Sequence, residues 1–124
     1  MCNRRIFIKR EEIFKYVEEK YTSQPEYLWK KYAHYAVLRH SQNRKWYAIV
    51  MDVKKENLGL EGKEVIDIMD VKLDPETVDI LQSSEGFFPA YHMNNSNWIS
   101  IDIATVDSKQ ICNLIDANFD LTAK

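Results

Sequence analysis

The 124-residue sequence predicts an α+β fold, a single antiparallel β-sheet with helices packed on one of its faces. Three observations carry that prediction. Ile99, Ile101 and Ile103 alternate with Trp98, Ser100 and Asp102, the period of two that marks a half-buried strand. Residues 35 to 40 and 45 to 53 are two β-rich runs joined by Ser41, Gln42, Asn43 and Arg44, which reads as a hairpin. Helical spacing of apolar residues is strongest towards the two ends of the chain, with Ile13, Phe14, Val17 and Tyr21 in one group and Ile111, Leu114, Ile115 and Leu121 in the other. The order helix, strands, short helix, strands, helix is that of one sheet covered on one side. A 45% hydrophobic and 12% aromatic composition with a net charge of -2 is enough for one self-sufficient domain spanning residues 1 to 124.

In chain order, residues 9 to 21 form the first helix, and residues 22 to 25 stop it because Pro25 forces its predecessor out of helical geometry. Residues 26 to 32, with Tyr27, Leu28 and Trp29, are irregular chain covering the sheet. The run 45 to 53 is the candidate central strand, with Tyr47, Ile49, Met51 and Val53 on one face and Trp46, Ala48 and Val50 on the other. Residues 54 to 63 are a surface loop. In the strand at 64 to 73, Ile66 and Ile68 fall on one parity and Met69, Val71 and Leu73 on the other, which calls for a bulge near 67 to 70. Asp74 and Pro75 start a short helix packing through Val78 and Leu81. Residues 90 to 93 and 98 to 103 form a second hairpin around Asn94, Asn95, Ser96 and Asn97, and Asp107 caps the last helix.

Charge is unevenly distributed. Residues 27 to 51 hold Lys30, Lys31, Arg39, Arg44 and Lys45 and no acid, whereas residues 52 to 86 hold ten acids and four bases. Arg39, Arg44 and Lys45, with His40 and Asn43 between them, surround the first hairpin tip and suit a basic wing lying against phosphates. The ordinary alternative is a solvated face, and the pI near 5.9 supports it. No run approaches the roughly 18 apolar residues of a membrane span and no secretory core follows the charged start, so a cytoplasmic protein with no membrane partner is expected. Cys2 and Cys112 are too far apart to suggest a framework and are read as free thiols, Cys112 as a small buried group.

The run Pro89, Ala90, Tyr91, His92, Met93, Asn94, followed by Asn97, Trp98 and Ile99, closely resembles the signature of the MmcQ/YjbR proteins. The likeness extends to residues 71 to 76, to Trp29 and to residues 46 to 48, and so covers nearly the whole chain. It implies a frataxin (CyaY)-like fold and a DNA-binding role through a pair of hairpin wings. On that pattern Asn94, Asn95 and Asn97 of the second wing join Lys30, Lys31, Arg39, His40, Asn43, Arg44 and Lys45, although the second tip is uncharged and brings hydrogen bonding without Coulomb attraction.

Other chemistries find less in the sequence. His92 is read as a structural histidine bonded across its hairpin, since no carboxylate or thiol is spaced to orient it as a base. Glu11, Glu12, Glu18 and Glu19 suggest the acidic ridge of a metal carrier, but Lys9, Arg10, Lys15 and Lys20 interleave with them, and no paired His or Cys motif marks a metal site. Neither a nucleophile elbow nor a phosphate-binding loop is present, so no enzyme and no cofactor is expected. Tyr27, Trp29, Trp46, Tyr91 and Trp98 are numerous enough for an aromatic patch, and a protein-interaction module using such a patch or a sheet edge is the rival to DNA binding.

Overall fold

The computed structural model describes residues 7–123. Its elements are α1 (Arg10–Tyr21), β1 (Ala36–Arg39), β2 (Trp46–Lys54), a 3-10 turn (Lys55–Leu58), β3 (Val65–Lys72), α2 (Pro75–Leu81), β4 (Phe87–Pro89), β5 (Trp98–Asp102) and α3 (Ser108–Thr122). The strands form a five-stranded sheet in the order β1-β2-β3-β5-β4, every neighbouring pair antiparallel.

Local chemistry explains the helix ends. The Glu12 carboxylate accepts the Lys9 amide at 3.1 Å to open α1, and Thr22, at a left-handed φ of 58°, closes it. Asp74 accepts the Thr77 amide at 3.0 Å with Pro75 in the first turn of α2, and Asp107 accepts the Lys109 amide at 3.4 Å at the start of α3. All three helices pack on one face. Ile13 and Val17 of α1, Val78 of α2 and Ile111 and Ile115 of α3 share a core with Leu38, Val50, Met69, Val71, Ile99 and Ile101. Each such side chain contributes about 1.5–3 kcal/mol by leaving water. At the junction of α1 and α3, Asp116 accepts from the Tyr16 hydroxyl at 2.8 Å, the Tyr21 hydroxyl at 2.5 Å and the Lys20 ammonium at 2.8 Å. Although burial alone would raise it, these donors hold the Asp116 carboxyl below its ordinary pKa.

Among the described residues no α-helix lies on the opposite face. Tyr35, Val37, Ile49, Met51, Val53 and Ile68 form a second apolar layer there, covered by Trp46 at the start of β2 and by Trp29, Leu58, Tyr91 and Met93 from connecting segments. Two covered faces explain why β3 is apolar on both parities. Its pairing runs unbroken from Ala48↔Val71 to Lys54↔Val65 and from Ile68↔Asp102 to Lys72↔Trp98, so the bulge expected near 67 to 70 is not there. β3, rather than β2, is the middle strand.

The irregularity lies in β2 instead. Leu38 faces Ala48 but Arg39 faces Trp46, which leaves Tyr47 as an extra residue. Tyr47 therefore joins the helical core, away from Ile49 and Met51, while Trp46 turns to the helix-free face. The second hairpin also differs from expectation. β4 is Phe87–Pro89, paired from Phe87↔Ile101 to Pro89↔Ile99, and residues 90 to 97 form an eight-residue loop. Phe87, only 5% exposed, anchors the pairing in the helical core, so residues 90 to 93 are released from the sheet. In α3, Leu121 is exposed and its place on the packed face goes to Phe119, whose ring stacks on Tyr21 at 3.7 Å. Cys112 is buried as expected but disulfide-bonded rather than a free thiol; Cys2 lies outside the described residues. Among the described residues no helix is long and apolar enough to cross a membrane.

Candidate functional site

The helix-free face holds a continuous series of aromatic rings. Glu26 pairs with Val37 in an isolated antiparallel bridge, both backbone hydrogen bonds at 2.9 Å, and this tether lays the following segment across the sheet. Trp29 then meets Trp46 edge-to-face at 5.8 Å and Tyr35 at 6.1 Å, and Tyr35 stacks on Tyr32 at 4.7 Å. A cation stands at each end of the series. The Arg39 guanidinium is 5.7 Å from the Trp46 ring centre, and the Lys31 ammonium is 5.7 Å from that of Tyr32. The loop 90 to 97 closes the remaining side with Tyr91, His92 and Met93, leaving a largely apolar groove of about 270 Å³ over Ile49 and Met51. A wider cleft of about 550 Å³ continues from it past Tyr32, Tyr35 and Tyr91, and there His34 Nδ1 lies 3.0 Å from Asp52 Oδ2.

A buried acid stands behind the groove. Asp70, fully buried on β3, is opposite Ile49 of the groove floor on one side and Ser100 on the other. The Ser100 hydroxyl donates to Asp70 Oδ1 and accepts the Tyr91 amide at 2.9 Å, while Asp70 Oδ2 has no hydrogen-bond partner among the described residues. Burial, opposed by the Ser100 bond, pushes the Asp70 carboxyl up to about 7. Burial also raises Tyr35 to about 12, with Tyr91 and Asp52 adding to it. Neither Asp70 nor Ser100 was singled out from the sequence. The available signal was a carboxylate set between the apolar Met69 and Val71 in a strand with apolar residues on both parities.

The expected basic wing is only partly a free surface. Arg39 Nε and Arg44 Nη2 both lie 3.6 Å from Glu26 Oε1. Arg44, at a left-handed φ of 62°, is exposed, as are Lys30, Lys31 and Lys45, whereas Arg39 is half-buried. His40 does not face phosphates. It is 4% exposed, its Nε2 lies 2.6 Å from Thr122 Oγ1, and its ring packs at 4.1 Å on Phe119, because the short loop folds inward onto α3. Burial, then the Lys45 charge, lowers its pKa and keeps it neutral. Asn43 holds the same loop, accepting the Lys45 amide at 2.9 Å and donating to the Thr122 carbonyl at 3.2 Å.

The second loop divides in two. Its first half, with His92 and Met93, turns to the groove; His92 is exposed at φ 66° with its ring 3.9 Å from that of Tyr91, not bonded across the hairpin. Its second half turns elsewhere. Asn94 accepts the Ser96 amide at 2.8 Å, Asn95 lines a cleft with Glu76 and Asp79 of α2, and the Asn97 carbonyl accepts the Leu73 amide at 2.8 Å. Asn95 therefore sits beside acids of α2 rather than in a basic wing. Pro89 ends β4 exposed, Trp98 is buried, and Tyr27 is exposed outside the groove. Among the described residues no three His, Cys, Asp or Glu side chains cluster as metal ligands.

Comparison with known proteins places this geometry among relatives. A family model described as YjbR matches residues 14–121. The uncharacterized protein YyaQ of Bacillus subtilis is 47% identical over 116 residues, covering 93% of this chain and 98% of its own length. A crystal structure of a Pseudomonas syringae protein superposes with a TM-score of 0.90 at 40% identity, covering 93% of this chain and 99% of that one. A Deinococcus radiodurans protein shares the fold with a TM-score of 0.71 at 16% identity, covering 94% and 79% of the two chains.

Proposed function

The chain belongs to the YjbR family, and on that footing we propose that it is a cytoplasmic DNA-binding protein rather than an enzyme, holding phosphates with the cations that border its aromatic groove. Arg44 and Lys45 on the first hairpin loop and Lys30 and Lys31 on the segment crossing the same face are the contacts. The observation that carries this reading is the meeting of exposed cations with half-buried aromatic rings on one face of the sheet. Proteins that hold nucleic acid without reading its sequence combine those two features. Arg39 supports the face instead of contacting DNA, since Trp46 and Glu26 already hold it. Binding is salt-sensitive because it rests on phosphate contacts, and weak because Glu26 offsets part of the charge. The helices gathered on one face of an antiparallel sheet likewise support reading the architecture as frataxin-like.

A second reading has an observation of its own. Tyr27, Leu28 and Tyr32 are 55%, 44% and 43% exposed, an apolar margin of the kind that receives a protein segment. Fluorescence anisotropy of labelled duplex and single-stranded DNA at about 50 and about 200 mM salt separates the two. Salt-sensitive binding that weakens when Arg44 and Lys45 are together changed to alanine supports the DNA reading. Absence of binding at the lower salt overturns it in favour of a protein partner.

A further inference from the structure

The groove, the orphaned acid and the cationic rim together describe a ligand. We propose that the groove seats one unpaired nucleobase, its ring against the aromatic walls and its amino-bearing edge turned to Asp70, an inference that rests on the DNA reading for its phosphate contacts alone. The walls are Trp29, Tyr35, Trp46 and Tyr91, and the volume of about 270 Å³ lies just below the roughly 300–1,000 Å³ of drug-sized ligand pockets. That suits a single planar ring system. Every base offers a π-face to such walls, worth about 1–3 kcal/mol per base.

Asp70 adds selectivity. A fully buried carboxylate oxygen without a donor is unusual, and leaving such an acceptor unmet is costly. A ligand N–H supplies the missing donor. The acid is within one residue of the groove in the sheet register, opposite Ile49, and is tied through Ser100 to the Tyr91 amide. Residues 91 to 93 line the groove beside it. Their joint is His92, a non-glycine residue at φ 66°, where left-handed backbone carries strain of about 1 kcal/mol or more. Lifting of this loop opens the way from groove to acid. The exposed rim cations Lys31 and Arg44 then receive the sugar-phosphate of the same strand.

Adenine, cytosine and guanine carry an exocyclic amino donor at the base edge, whereas the one ring donor of uracil, N3–H, lies between two carbonyls that a carboxylate repels, so an acceptor at the end of the groove favours the amino-bearing bases. In a duplex those amino groups are paired, so the site takes single strands. The test is calorimetric titration with free adenosine, cytidine, guanosine and uridine, which carry no phosphate. The chain and its Asp70→Asn variant are compared at about pH 8, where the acid is ionised. Asp70→Asn keeps the Ser100 acceptor but replaces the orphaned oxygen with a donor. The expected result is cytidine binding about tenfold tighter than uridine in the parent chain, and loss or reversal of that ratio in the variant. Trp46→Ala, changed at the half-buried rim, removes nucleoside binding and serves as the second variant if Asp70→Asn fails to fold. Equal affinity for all four nucleosides, an unchanged ratio in Asp70→Asn, or no nucleoside binding overturns the proposal. Salt-sensitive DNA binding without nucleoside binding leaves the phosphate reading standing and overturns this one; nucleoside binding without DNA binding does the reverse.

Discussion

Replacing Glu26 with glutamine tests whether the basic face is held back by its own acid. Glu26 Oε1 lies 3.6 Å from both Arg39 Nε and Arg44 Nη2, and the Arg44 side chain is 62% exposed. Lys30, Lys31, Arg44 and Lys45 give four candidate phosphate contacts, of which Glu26 cancels about one. With an effective count of about three, log K falls with log salt at a slope of about -2.7, and a fourfold rise in salt weakens binding roughly 40-fold. In Glu26→Gln the count rises to about four, the slope to about -3.6 and the loss to roughly 150-fold. Affinity at low salt rises as much as about fivefold, the equivalent of one exposed ion pair of up to about 1 kcal/mol. The fold is little affected, because the bridge to Val37 uses the Glu26 main chain. Anisotropy of labelled DNA across a salt series reads both quantities. An unchanged slope, or weaker binding by Glu26→Gln, would refute the assignment of these cations to phosphates.

Asp70 makes stability depend on pH. Between the unfolded value near 4 and the folded value of about 7, the native chain holds a proton that the unfolded chain has released. Stability therefore declines as pH rises through that window, by roughly 4 kcal/mol at most, and levels off above it; urea melts of Asp70→Asn should lack the decline. Gly86→Ala should cost about 2–3 kcal/mol in the same assay, since Gly86 has φ 89° and a Cβ there would stand 2.6 Å from Val106 Cγ2. Asp116→Ala leaves Tyr16 and Tyr21 without their acceptor and should cost about 2 kcal/mol; its depressed carboxyl contributes stability above about pH 4 that fades as acid protonates it. Thiol trapping in freshly lysed cells checks compartment: alkylated Cys112 agrees with the cytoplasm, where disulfides are reduced, and a protected Cys112 with an oxidising space.

Much of the framework was legible where one residue type leaves the backbone a single choice. The alternating isoleucines of β5, Asp74 with Pro75 before α2, and Ile13 and Val17 on α1 each stand where the periodicity places them. What was not legible depends on partners distant in sequence. The Tyr47 bulge exists only relative to β1, and β4 was read three residues late because Phe87, which anchors it, pairs with Ile101. The site shows the same limit. The acid-free stretch from 27 to 51 ends one residue short of Glu26, and folding brings that carboxylate onto Arg39 and Arg44. Trp29, Trp46 and Tyr91 were recognised as a possible patch, but only the bulge and the released loop bring them together.

The margins of the sheet bear on how this protein behaves in a crowded solution. An open strand edge offers unpaired amides and carbonyls to any extended chain and invites self-association. Here β1 is partly covered by the Glu26 bridge, and β4 offers three residues, the last a proline with no amide to donate. Among the described residues, strand addition therefore has little template on either side, which disfavours fibril-like stacking and peptide capture by edge pairing. Partners are left to approach broadside, onto the helix-free face.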